Sequence, residues 1–277
     1  MDEKLSAVVP AFNEEKNIGE CLDSVSWADE IIVVDSFSTD LTAEICRGRG
    51  VKLVQHEYVN SAAQKNWILP QTKHRWVLIV DADERVTPAL REEIAGLLAA
   101  GPDFDGYWIR RRNRFMGKEV RFCGWQRDKV LRFFDRDKGR YEEKHVHAEV
   151  RMNGRVGFLK ARLVHDSYRD FSSYLRKLDK YTDWGARDLL AKGRRAGLPD
   201  LVVRPPARFV RMYVLQLGLL DGVRGLIICA LGGTSVFLKY AKLWRLSMGS
   251  ETNRLRPRRP TGASRGADGE QSVGSCG

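Results

Sequence analysis

Four short apolar runs head this chain, each separated from the next by a stretch with helical spacing, and that alternation narrows the fold more than any other feature. Residues 5–9 read Leu-Ser-Ala-Val-Val, residues 30–34 Glu-Ile-Ile-Val-Val, residues 52–55 Lys-Leu-Val-Gln and residues 76–80 Trp-Val-Leu-Ile-Val. Runs of β-branched residues without polar alternation fit strands covered on both faces, hence a mainly parallel sheet between helices. Between them, Ile18, Leu22 and Val25 fall on one helical face, with Asn13 placed to cap it. Residues 40–49 form a second helical stretch that Gly50 ends. Thr87-Pro88 opens another in the favoured cap-then-proline order. The expected fold class is α/β, a Rossmann-like sheet flanked by helices.

In such sheets ligands bind beyond the carboxyl ends of the strands. Three polar clusters fall there: Asn13-Glu14 after the first run, Asp35 after the second, and Asp81-Ala82-Asp83 after the fourth. Two carboxylates one residue apart at a strand end can meet a hard divalent cation, Mg²⁺ or Mn²⁺, which in turn binds a diphosphate. The competing reading is an acidic turn ahead of the Thr87 helix.

The motifs Val-Val-Pro-Ala-Phe-Asn-Glu-Glu (8–15), Val-Val-Asp-Ser-Phe-Ser-Thr-Asp-Leu-Thr (33–42) and Val-Asp-Ala-Asp (80–83) together resemble the family 2 glycosyltransferases. That resemblance implies a GT-A fold and inversion at the anomeric carbon of a nucleotide sugar. It implies that Pro10, Ala11 and Glu14 line the nucleoside pocket and that Asp35 meets the base. Asp83 is then the direct metal ligand, with Asp81 nearer the ribose or diphosphate. The acidic pair usual after the family's second strand is Asp35-Ser36 here. Lys65 and Asn66, between the third and fourth runs, are expected either at the diphosphate or base, or at a solvated helix start.

Further motifs follow in order at 124–134, 139–141, 145–149, 153–157 and 163–166, and they resemble the branch of family 2 that adds glucose to heptose in the lipopolysaccharide inner core. An inverting transfer needs a base for the acceptor hydroxyl. Asp128, just before a strand, is the first candidate and Glu149 the second; the alternative for Asp128 is an ion pair with Arg127, Lys129 or Arg132. His147 or His165 can supply a further metal ligand, whereas His145 points to the opposite strand face. The cluster Arg110-Arg111-Arg112 with Arg114 suits either acceptor phosphates or a solvated edge strand.

The formal net charge is +11, and residues 204–277 hold 12 Lys+Arg against 4 Asp+Glu, a net of +8. Basic residues there flank two apolar stretches, 212–220 and 225–238, each shorter than the ~20 residues of a spanning helix. An interfacial hairpin on an anionic membrane is expected, rather than a nucleic-acid partner. Five scattered cysteines without metal spacing, and a charged N-terminus, fit a cytoplasmic enzyme on the inner face of the inner membrane. The expected units are a catalytic domain over 1–170, an amphipathic connector over 171–200, the hairpin over 201–248 and a disordered tail over 249–277. The expected partners are a UDP-sugar donor and a lipid-linked saccharide acceptor. Transfer to polyprenyl phosphate, and a non-catalytic basic binding protein, are the alternatives.

Overall fold

The computed structural model describes residues 3–142, 149–168 and 170–254. The chain opens β1 (Leu5–Ala11), α1 (Ile18–Ser24), β2 (Glu30–Asp35), α2 (Thr42–Gly48), β3 (Lys52–Gln55), α3 (Ser61–Ile68) and β4 (Trp76–Ile79). It continues with β5 (Glu84–Val86), α4 (Pro88–Ala100), β6 (Gly106–Phe115), β7 (Lys118–Glu119), β8 (Lys129–Asp135), β9 (Gly139–Tyr141), β10 (Val150–Met152) and β11 (Val156–Tyr168). Four helices follow: α5 (Phe171–Ala191), α6 (Leu198–Val202), α7 (Arg204–Val210) and α8 (Gly222–Arg254).

Strands β3-β2-β1-β4-β8-β6-β11-β5 form one sheet in that order, with β7 on β6. The first four are parallel, β8 and β5 run against their neighbours, and β6 pairs β11 in parallel. The carboxyl ends of β1, β2, β4, β6 and β11 and the amino ends of β8 and β5 therefore meet on one rim.

The continuous apolar runs are explained by two cores, one on each face. Leu5, Ala7, Val9, Val33, Trp76, Leu78 and Val80 pack beneath Ile18, Leu22, Leu90 and Ile94 of the helices on one side. Val8, Ile32, Val34, Val77 and Ile79 pack against Ile68, Phe134 and Tyr141 on the other. With a side-chain period of two, only a strand covered on both faces needs apolar residues at every position.

Two expectations from the sequence change. Asn13 does not cap α1, whose N-cap is Asn17; instead its Oδ1 accepts from the Thr39 amide at 2.8 Å. Residues 156–168 form the single 13-residue β11, interrupted by register shifts. The two apolar stretches are not equal arms: α8 is one 33-residue helix reaching into the expected tail, while residues 255–277 lie outside the described residues. Asp221, which breaks the stretch in sequence, accepts from the amides of Arg121 and Phe122 at 3.1 and 2.9 Å, so it fastens the loop before β8 to the start of α8. Helix α8 approaches its neighbours closely through glycines. A Cβ at Gly233 would sit 3.0 Å from the Pro205 carbonyl, and one at Gly225 would collide with the Gly218 carbonyl.

Thr87 caps α4 as expected: its Oγ accepts from the Leu90 amide at 3.2 Å and donates to the Arg162 carbonyl of β11 at 3.0 Å. Thr87→Ala therefore loses a cap and a sheet tie, and equilibrium denaturation is expected to show about 1–2 kcal/mol of lost stability, with Thr87→Ser near wild type. Equal losses for both variants would show that the hydroxyl contributes nothing.

Candidate active site

The loops after β1 and β2 grip each other at the rim. The Asn13 amide donates to Ser38 Oγ at 2.9 Å, the Glu14 amide to Thr42 Oγ1 at 2.8 Å, and the Glu15 amide to Asp40 Oδ2 at 3.1 Å. Asp35 is wholly buried below them and accepts from Ser38 and from Gln55 Nε2. Its oxygens serve the turn, and it does not line the neighbouring cavity, nor does Ala11. In this structure Asp35 thus holds the turn after β2.

A cavity of about 1120 Å³ opens beside these loops, lined by Pro10, Glu14, Lys65, Asp81, Asp83, Asp128 and Glu149 among the residues expected from the sequence. Arg111, Arg132, His165 and Lys177 join them. Asn66 does not. Its amide donates to the Tyr141 carbonyl and accepts from the Tyr141 amide, both at 2.9 Å, which fastens α3 to β9. That pairing uses the groups the diphosphate contact would have needed. His147 and His145 lie outside the described residues.

The two aspartates of the β4–β5 turn have different surroundings. Asp81 is held by Lys65 at 2.9 Å and by Arg132. Burial alone would raise its pKa, but Arg132 and Lys65 outweigh that and hold the carboxyl far below the usual carboxylate range. Arg132, itself buried, also lies 3.6 Å from the fully buried Glu84, and Glu84 takes Arg111 at 3.2 Å and the Asp81 amide at 3.0 Å. Asp83 meets His165 Nε2 at 3.7 Å and Lys177 Nζ at 3.5 Å. Burial opposes ionisation of Asp83 too, and the His165 hydrogen bond and Lys177 charge overcome it, leaving its pKa low. Glu14 goes the other way: burial pushes it up against the hydrogen bond from Asn17.

Asp128 is gripped by a two-pronged guanidinium contact, Arg111 Nε at 2.9 Å and Nη2 at 2.8 Å, and by Asn113 Nδ2 at 2.8 Å. Burial would raise its pKa, but these donors lower it. Its ion-pair partner is Arg111 of β6, not the sequence neighbours Arg127, Lys129 or Arg132. Strand β6 lies between β8 and β11, so the reading of a solvated edge strand is corrected: Arg110 and Arg114 face solvent while Arg111 faces the cavity. Glu149 is exposed at the cavity wall.

Asn113 also fixes the tautomer of His165. Asp128 only accepts, so the amide nitrogen of Asn113 faces it, and Oδ1 is left to accept from His165 Nδ1 at 2.7 Å. With Nδ1–H given to Asn113, a proton on Nε2 is donated to Asp83; once that proton leaves, the Nε2 lone pair beside the carboxylate makes a pair whose chemistry fits Mn²⁺ or Mg²⁺. Among the described residues no three His, Cys, Asp or Glu side chains form a preformed cluster. An ion here would take one or two protein ligands and complete its shell with phosphate oxygens and water, as Mg²⁺ commonly does.

Lys177, Glu84, Asn113 and the inward role of Arg111 escaped sequence reading. They come from three elements, β5, β6 and α5, and only Arg111 carried a signal, as part of a basic cluster.

The profile of the family described as "Glycosyl transferase family 2" matches residues 6–180. A lipopolysaccharide core biosynthesis glycosyltransferase, LpsC of Rhizobium meliloti, is 31% identical over 248 residues, covering 87% of this chain and 92% of that protein. An uncharacterized glycosyltransferase of Rickettsia typhi is 25% identical, covering 89% of both chains. Among solved structures, glucosyl-3-phosphoglycerate synthase from Mycobacterium tuberculosis is 26% identical over 40% of this chain and 44% of that one, with a TM-score of 0.35, an overlap too small to carry over its ligands.

Since Asp81, Asp83 and Asp128 all have depressed pKa values, the stability they contribute is present above the unfolded value near pH 4 and is lost as pH falls through the folded values. Arg132→Met leaves Glu84 and Asp81 without their shared cation and is expected to cost about 3–5 kcal/mol in denaturant unfolding at pH 7. Adding Asp81→Asn should recover part of that cost. A wild-type midpoint for Arg132→Met would show that the buried charges need no such partner.

Proposed function

The chain belongs to glycosyl transferase family 2, and from that premise we propose that it moves a hexose from a UDP-sugar, UDP-glucose foremost, to a saccharide of the lipopolysaccharide core. The observation that carries this reading is the pairing at the rim: an ionised Asp83 with His165 and Lys177 beside it, facing Asp128 across one cavity. The relative at 31% identity supports the acceptor class.

Pro10 and Glu14 line the end of the cavity beside β1, where the nucleoside would lie. Lys177 would meet the diphosphate, its ammonium turning from Asp83 to the incoming phosphate oxygens. A Mg²⁺ or Mn²⁺ ion held by Asp83 and His165 would neutralise charge on the departing diphosphate. Asp128 is the proposed base. As the acceptor oxygen bonds to the anomeric carbon and the bond to the diphosphate breaks, the hydroxyl proton passes to Asp128. Its low pKa keeps it ionised at neutral pH, so the proton moves late, when the oxygen has become strongly acidic. Glu149 is the second candidate for this step.

The C-terminal helices give the proposed membrane contact. By length and apolar composition, residues Gly218–Met248 could cross a bilayer. However, α8 packs on α5 and α7, and its outward face is the unusual one. Val223, Leu226, Phe237, Trp244 and Met248 are 74%, 44%, 45%, 49% and 50% exposed, at offsets of 3, 14, 21 and 25 residues from Val223. That spacing draws one apolar stripe about 38 Å long on a helix whose exposed face would ordinarily be polar. With Arg208, Arg211, Arg224, Lys242 and Arg245 nearby in sequence, the proposed occupant is an anionic bilayer on the cytoplasmic side, each cation contributing about 1 kcal/mol.

Two measurements test these assignments. UDP-glucose binding by calorimetry is expected to require Mn²⁺ or Mg²⁺ and to vanish in Asp83→Ala, while Asp128→Asn keeps donor binding but lowers kcat by ~100-fold or more; donor binding unaffected by Asp83→Ala would sink the site assignment. Co-sedimentation with vesicles containing phosphatidylglycerol is expected for wild type, weakened by salt, and lost in Phe237→Glu/Trp244→Glu. Retention of vesicle binding by that double variant would remove the stripe from the interface.

A further inference from the structure

The cavity does not end at the aspartates. Its far wall is made by α5 and α8, where Tyr181, Trp184, Gly185, Ser235 and Lys239 line it. The family match stops at residue 180, so this wall belongs to a part of the chain outside the shared donor machinery. Its chemistry differs from that of the rim. The Tyr181 and Trp184 rings lie edge to face with centroids 5.7 Å apart. Lys239 makes no ion pair among the described residues. The charges that act on it are Arg204 and Arg208, both positive, and with burial they push its pKa down. Arg208 likewise has no carboxylate partner among the described residues, while Arg204 is paired with Asp200 at 2.5 Å.

The stem of Lys239 is held in place by a gap in α5. A Cβ on Gly185 would lie 3.0 Å from its Cδ, so the missing side chain is what lets the lysine cross α5 to the cavity. The Lys239 ammonium lies 5.0 Å from the Tyr240 ring centroid, and Asp188 lines the same wall. No carboxylate pairs with the lysine among the described residues, however, and a part-buried ammonium beside Arg204 and Arg208 is costly unless a ligand supplies an anion. The Trp184 indole lines the same wall with Lys180 Nζ 4.7 Å from its ring centroid, and an indole face left to the cavity suits the C–H face of a sugar ring.

We infer that Trp184 and Lys239 form an acceptor subsite for an anionic saccharide residue, one carrying a carboxylate or a phosphate, with Tyr181 completing the aromatic side. The inference rests on the glycosyltransferase reading above, to which it adds the charge of the acceptor. Trp184 takes the ring face and Lys239 the charged group, and the residue bound there lies in the same cavity as Asp128.

The test is binding of three glycosides to the full chain by calorimetry and saturation-transfer NMR: methyl glucoside, methyl glucuronide and methyl glucoside 6-phosphate. The two anionic glycosides are expected to bind about tenfold more tightly than the neutral one. The tighter of the two identifies carboxylate or phosphate as the natural group. Lys239→Met is expected to abolish the preference and Lys239→Arg to keep it. Trp184→Ala is expected to weaken all three. Gly185→Leu, which retains the charge but displaces the stem, should behave like Lys239→Met. Asp83→Ala leaves all three affinities unchanged, so a failed donor site and a failed acceptor subsite give different results. Equal binding of neutral and anionic glycosides to wild type, or a preference that survives Lys239→Met, overturns the inference.

Discussion

The site depends on one buried cation. Arg132 stands between the partly exposed Asp81 and the fully buried Glu84, and without it two carboxylates would face each other. From there a chain of charged groups continues, bridged at one point by a neutral amide. Lys65 holds Asp81, Arg111 joins Glu84 to Asp128, Asn113 joins Asp128 to His165, and His165 reaches Asp83 and so Lys177. Ten side chains from α3, β5, β6, β8, β11, α5 and the turns before β5 and β8 are thereby fixed relative to one another. Buried ion pairs add little net stability, because desolvation offsets their attraction. What such a chain provides is geometry: each carboxylate has one orientation in which its partners are satisfied.

The same economy explains why the two aspartates after β4 differ although they are one residue apart. Asp81 spends both oxygens on Lys65 and Arg132 and so serves as the anchor of the turn. Asp83 has longer contacts, at 3.5 and 3.7 Å, to groups that can yield to a cation or a phosphate. The distinction comes from β8 and α3, not from the Asp-Ala-Asp motif itself. Likewise the residues at 36–42 act chiefly by clasping the loop after β1, with Asp35 as the buried post of that clasp.

Much of this was legible before any coordinates. Doubly covered strands announce themselves by apolar residues at every position, and carboxylates at their ends stand out against that background. Thr87 was readable because capping is local. The pairing of Asn66 is not legible in the sequence because its partner, Tyr141, lies 75 residues away, and no local pattern marks an amide that mimics a strand neighbour. Arg111 was placed at an edge because the insertion of β6 between β8 and β11 is a matter of topology, not of periodicity. The two apolar stretches before and after Asp221 were read as separate arms because a charge was taken as a break. It is instead a clamp, spent on the amides of residues 121 and 122.

That clamp bears on how chemistry and recognition are divided in this chain. The rim, with its charge chain from Lys65 to Lys177, is built from residues inside the family match at 6–180. The C-terminal helices join it at few places: Lys177 beside Asp83, Asp221 under the loop before β8, and the small cluster of Phe115, Val120, Cys123, Met212, Ile228 and Cys229. Helix α8 then presents Ser235 and Lys239 inward to the cavity and its apolar stripe outward. Under the proposed membrane contact and acceptor subsite, a helix with those two faces links the two, because neither face can move without the other. Changes along α8 could therefore retune acceptor and location together, while the charge chain around Arg132 keeps the transfer geometry as it is.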